Sequence, residues 1–105
     1  MKSAMTKACN ISPKVRQKVE ERDGGVSILS GKPGIGNVHY IPRSLGGLGI
    51  EQNVVTLTPE EHHLYDNGSA RDRNVRNEIR EKIAAYLEKH YPGFRDYDRI
   101  YHKWR

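Results

Sequence analysis

With 105 residues and one cysteine, the chain is expected to form a single domain over residues 1–105, with a modest core and no internal disulfide framework. Hydrophobic residues at 35% against 30% charged suit a small soluble protein, no apolar run is long enough for a membrane span or a signal peptide, and the lone cysteine makes a cytoplasmic setting the expectation. The formal net charge of +5 favours a polyanionic partner.

Residues 1–10 show no apolar periodicity and read as a loose arm. Ser12-Pro13 then opens a helix, an N-cap followed by a first-turn proline, with Val15 and Val19 four apart and Gly24-Gly25 closing it. Its Lys14, Arg16, Lys18 and Arg22 either touch nucleic acid or form a solvated face interleaved with Glu20 and Glu21. Val26 to Leu29 reads as a short strand, and Gly31-Lys32-Pro33-Gly34 as a turn.

The densest run of chemistry-bearing side chains spans residues 37–67. Val38 to Ile41 is β-branched and aromatic until Pro42, which offers no ladder donor, stops it. Gly46, Gly47 and Gly49 mark a loop, and Val54 to Leu57 is a second short strand, so an antiparallel hairpin is expected. Thr58-Pro59-Glu60-Glu61 supplies an N-cap, a first-position proline and a capping-box glutamate, which starts a helix carrying His62 and Asp66 on one face. Asn67-Gly68 stops this helix and Ser69 caps the next, predicted over residues 70–90 from Val75, Ile79, Ile83 and Leu87 at steps of four. After His90-Tyr91-Pro92-Gly93, the tail with Tyr97, Tyr101 and Trp104 is expected to form one short helix packing through Ile100. From Ser69 onward 10 Lys or Arg stand against 6 Asp or Glu, so most of the excess positive charge lies in residues 69–105. That basic extension either lies along a phosphate backbone or packs with its charges in water.

The order is strand with histidine, glycine loop, strand with asparagine, helix with histidine. It is carried by His39-Tyr40-Ile41-Pro42-Arg43-Ser44, Gly46-Gly47, Asn53 and His62, with 14 positions from His39 to Asn53 and 9 from Asn53 to His62. This set resembles the HNH endonucleases of the ββα-metal fold, and closely the small HNH proteins of phages and prophages. The resemblance implies an α+β fold, a ββα-metal core flanked by the N-terminal helix and a long C-terminal one. It also implies metal-dependent hydrolysis of DNA phosphodiesters, leaving 5′-phosphate and 3′-hydroxyl ends. On that reading His39 is the general base and Asn53 orients the histidine-bearing loop through hydrogen bonds to its backbone. His62 is a metal ligand, with Asp66 a further ligand one turn on, and Arg43 holds a phosphate oxygen. Arg43, Ser44, His63, Arg73, Arg76 and Arg80 are the expected DNA contacts, with His63, about 100° around the helix from His62, facing solvent or DNA. One imidazole and one carboxylate suit Mg²⁺ or Mn²⁺ and tolerate Ni²⁺ or Zn²⁺. The analogy with phage packaging proteins suggests a terminase partner.

The sequence departs from the family pattern twice. Many relatives place an aspartate or histidine ligand immediately before the base, where this chain has Val38. Many also carry a structural zinc knuckle of two Cys-x-x-Cys pairs; here the matching positions read Ser27-Ile28-Leu29-Ser30 and Thr58-Pro59-Glu60-Glu61, and Cys9 lies elsewhere. A capping box at Thr58, contributing about 1 kcal/mol, and apolar packing are expected to stand in for the knuckle. The alternative function is a non-catalytic nucleic-acid-binding module on the same scaffold, its metal affinity lost through Val38.

Overall fold

The computed structural model describes residues 3–67 and 73–104, so the helix stop expected at Gly68 and the cap expected at Ser69 lie outside the described residues. The architecture is mixed α+β, a two-stranded antiparallel sheet with helices packed around it. Residues 3–10 are more ordered than their sequence suggests. Ser3 accepts from the Thr6 N–H and caps a short helix, α1 (Ala4–Cys9), whose last residue is buried. A six-residue helix cannot show a period, and tertiary contacts hold this one.

Helix α2 (Pro13–Asp23) forms as its signals predict, with Ser12 accepting from the Val15 N–H and Gly24 in the left-handed region at φ 73°. Arg22, read above with the surface cations, turns inward instead. It pairs with Asp23 at 2.7 Å and donates to the Glu51 and Val54 carbonyls, while Asp23 accepts from the Thr56 N–H and the Tyr86 hydroxyl. This closed network ties α2 to the sheet and to the last helix, and every charge in it has a partner.

Val26 to Leu29 is not a strand. Val26 makes an isolated bridge to Pro33, and the Ser27 hydroxyl accepts from the N–H groups of Leu29 and Ser30, curling the chain into a turn. Strand β1 is Ile35–His39, set back from the run Val38 to Ile41, and pairs with β2 (Val54–Leu57) in the register His39 opposite Val54 and Val38 opposite Val55. The ladder ends at the Tyr40 N–H to Asn53 carbonyl bond because the Asn53 side chain takes over the Ile41 backbone.

Thr58 and Glu61 form the expected capping box on α3 (Pro59–Asp66), and a further contact ties it to the turn before β1. The Ser27 hydroxyl donates to Glu61 Oε1 at 2.5 Å, the Thr58 N–H donates to the same oxygen at 2.8 Å, and the Ser30 side chain also hydrogen-bonds this carboxylate. Ser27, Ser30 and Thr58 are thus drawn together around the Glu61 carboxylate, at the four positions compared above with the zinc knuckle of the HNH proteins that the sequence resembles. Burial pushes the Glu61 carboxyl up, but the bonds from Ser27, the Thr58 backbone and Ser30 outweigh it and hold the group below the usual carboxylate range. Its stabilisation is therefore present above the unfolded-state pKa and is lost as pH falls through the lower folded value. Glu61→Ala is expected to cost about 1–2 kcal/mol at neutral pH, from the lost cap and the stranded Ser27 hydroxyl, and to flatten the acid limb of stability. Urea unfolding of both proteins across the acid range checks both parts.

Helix α4 (Arg73–His90) buries Ile79, Ile83 and Leu87 against Val38, Val55, Leu57 and Tyr65. Val75, expected on the same stripe, is 42% exposed. The tail forms a 3-10 turn (Asp96–Arg99) and then runs antiparallel to the glycine loop, with Leu48 N–H donating to the Arg99 carbonyl and Tyr101 N–H to the Gly46 carbonyl, both at 2.8 Å. The short tail helix is therefore this single 3-10 turn, and Ile100, which follows it, is held by a strand-like pairing with the glycine loop. Among the described residues no helix is long and apolar enough to cross a membrane.

Candidate active site

The loop between the strands is long and rich in glycine, yet it is held from three sides. From within, Asn53 is fully buried; its Oδ1 accepts from the Ile41 N–H at 2.9 Å and its amide donates to the carbonyls of Ile41 at 3.2 Å and Leu48 at 2.9 Å. The tail holds the loop through Arg99, 4% exposed, whose Nε donates to the Gln52 carbonyl at 2.7 Å. On the third side the Gly49 N–H donates to the Ala8 carbonyl of α1 at 3.0 Å, and a Cβ at Gly49 would stand 2.1 Å from the Asn10 carbonyl oxygen. Asn53→Ala would leave the Ile41 N–H and two carbonyls without partners and is expected to cost about 2–3 kcal/mol. Chemical denaturation measures the loss, and amide exchange at Ile41 should accelerate with it.

His39 closes β1 and is half-buried at the mouth of this loop. Its Nε2 lies 2.7 Å from the Cys9 carbonyl oxygen. A carbonyl only accepts, so Nε2 carries the proton and Nδ1 is left with its lone pair. Burial lowers the His39 pKa, the Cys9 carbonyl opposes this, and repulsion from Arg43 adds to the lowering, so the ring is below the ordinary histidine value and neutral at physiological pH. A neutral imidazole with one fixed donor and one free acceptor can take a proton from water.

Two adjoining clefts lie around this ring. The larger, about 530 Å³, is lined by Asn10, Asn37, His39, Arg43, His62 and Asp66 among others. The second, about 240 Å³, brings His39 together with Arg43, Ser44, His62, Asp66 and Arg76. On α3, His62 Nε2 and Asp66 Oδ2 are 2.7 Å apart, an imidazole and a carboxylate side by side one turn apart on a capped helix. Arg43 NH2 donates to Asn10 Oδ1 at 2.6 Å, which holds the guanidinium beside His39 before any ligand arrives.

The structure thus gathers His39, Arg43, Ser44, His62, Asp66 and Arg76 from the expected set, while Asn53 lies beneath them and shapes the loop. His63 is exposed on the neighbouring face of α3 and hydrogen-bonded to Asn67. Arg80 lines a third, adjacent cleft, and Arg73, exposed on the first turn of α4, lines none of the three. Val38 has 0% exposure and points into the core, so the strand position that shares a cleft with His62 and Asp66 is Asn37. Strand alternation about His39 could have found Asn37 in the sequence. Nothing in the sequence marks the Cys9 carbonyl, a backbone group presented by tertiary packing. Among the described residues no three His, Cys, Asp or Glu side chains cluster in a way that could hold a metal ion.

Comparison with protein-family models, with curated proteins and with solved structures finds no match.

Proposed function

We propose that this chain is an HNH endonuclease of the ββα-metal class, hydrolysing DNA phosphodiester bonds with a divalent metal ion. The observation that carries the reading is the state of His39, neutral, its Nε2–H spent on the Cys9 carbonyl and its Nδ1 lone pair free, in a cleft that also holds Arg43 and the His62–Asp66 pair.

The donor set fits a hard or borderline cation that keeps several waters, since it supplies one imidazole nitrogen and one carboxylate. His62 and Asp66 would hold the ion, Mg²⁺ or Mn²⁺ before Ni²⁺ or Zn²⁺. When bound it would supply Lewis-acid polarisation of the scissile phosphate and charge stabilisation at the leaving oxygen. The protein does the rest. His39 Nδ1 takes the proton from the attacking water, and the Cys9 carbonyl stabilises the imidazolium that forms. Arg43 exchanges Asn10 for a non-bridging phosphate oxygen. Asn53 keeps the strand end and the loop in register so that base and phosphate meet at a constant separation.

Supercoiled plasmid incubated at low salt with Mg²⁺, Mn²⁺ or Ni²⁺ tests the proposal. Nicked circles in at least one metal and none with EDTA support it. Intact plasmid in every lane, with DNA still retarded in a gel, favours the non-catalytic module, for which the apolar burial of Val38 is the supporting observation. The same resemblance proposes a phage terminase as partner, which co-purification with a terminase subunit tests, and the lone cysteine proposes a cytoplasmic setting.

A further inference from the structure

Beside the phosphate clefts is a third of different character, about 260 Å³, between the turn of residues 43–45, α4 and the tail. It shares Pro42, Tyr65 and Arg76 with the smaller His39 cleft, so the two meet along a common wall. One side of it is apolar. Leu45 stands 70% exposed on the turn, and Tyr97 is 54% exposed, held by stacking on His102 at 4.0 Å with Arg95 over its ring. Ile100 completes that side, anchored where the tail pairs with the glycine loop. The other side is cationic, from Arg76 and Arg80 one turn apart on α4, neither of which has an ion-pair or hydrogen-bond partner among the described residues. Asp96, also in the lining, is already paired with Arg99 at 3.1 Å.

A sugar-phosphate backbone cannot satisfy an apolar wall of this kind, and bases stacked inside a duplex do not present their faces to it. An unpaired base does both, placing its flat apolar surface against the side chains while its own phosphates meet the arginines. We infer that this cleft is a subsite for one unpaired nucleobase next to the phosphate held at His39, which directs the enzyme to bulged, flapped or single-stranded positions in DNA. The inference rests on the nuclease reading for the identity of the neighbouring site. Its occupant follows from the pairing of apolar and cationic walls.

Binding is measured by fluorescence anisotropy in EDTA, with three labelled probes of one sequence: a perfect duplex, the duplex with a one-nucleotide bulge, and the same bulge with an abasic nucleotide. The bulge is expected to bind about tenfold more tightly than the duplex, within the range that stacking one base contributes, and the abasic bulge to lose that gain. Leu45→Ala, at an exposed position, is expected to abolish the difference between base and abasic probes while duplex affinity stays the same. Equal binding of base and abasic bulges, or of bulge and duplex, would overturn the subsite. Metal-dependent nicking of the duplex is scored separately, so a failed subsite and a failed nuclease give different results.

Discussion

His39→Ala is expected to lower metal-dependent nicking by about 10²–10⁴-fold, the contribution of a positioned general base, while gel-shift affinity for the same plasmid is retained. His39→Gln makes the result specific. A glutamine amide can still donate to the Cys9 carbonyl, so it spares the fold, but it has no basic nitrogen. Loss of nicking in both variants with unchanged melting in the glutamine protein assigns the effect to the base; nicking that survives in either removes His39 from the mechanism. The pH profile carries an independent sign. Burial holds the His39 pKa below the ordinary histidine value, so the active neutral form persists to more acidic pH than an exposed histidine allows. Nicking should therefore be flat around neutrality and fall only as pH drops through that lowered value. A fall beginning above the ordinary histidine range would contradict the burial described for this ring.

Val38→Asp should unfold the protein rather than repair its metal site. In the HNH proteins that the sequence resembles, the residue before the proposed base is often a ligand, but here the Val38 side chain is sealed in the core with Val55, Leu57, Tyr65 and Ile83. A carboxylate placed there finds no cation and is expected to cost about 3–5 kcal/mol, a large share of a small domain's stability. Asn37→Asp is the informative counterpart. It sits on the exposed face of the same strand, in the clefts that hold His62 and Asp66, and should tighten divalent-ion binding with little effect on melting. Calorimetric titration with Mn²⁺ and thermal unfolding of both variants decide the matter; a folded Val38→Asp protein with improved metal affinity would refute the assignment of faces.

Those two neighbouring positions also show what the sequence could and could not convey. Ser12, Gly24, Thr58 and Pro59 act on backbone within a few residues of themselves, and the helix ends they predict are where they should be. Likewise His62 and Asp66 needed only helical spacing to meet. The extent of β1 depended on a partner, because Asn53 ends the ladder from twelve residues away. Ser27 reads as part of a strand by propensity, and its hydroxyl makes it a turn. Arg22 looks like one more surface cation until Asp23, Tyr86 and two carbonyls enclose it. The Cys9 carbonyl is the extreme case, since every residue type offers the same oxygen and only the docking of α1 aims it at His39.

The carboxylate that gathers Ser27, Ser30 and Thr58 has a physiological corollary. A thiolate knuckle makes folding depend on zinc supply and leaves it open to oxidation. Glu61 and three hydroxyl-bearing partners ask nothing of the cell's metal pool and contain nothing that peroxide attacks. This junction between the turn and α3 therefore forms whether or not zinc is supplied and whatever the thiol balance around it.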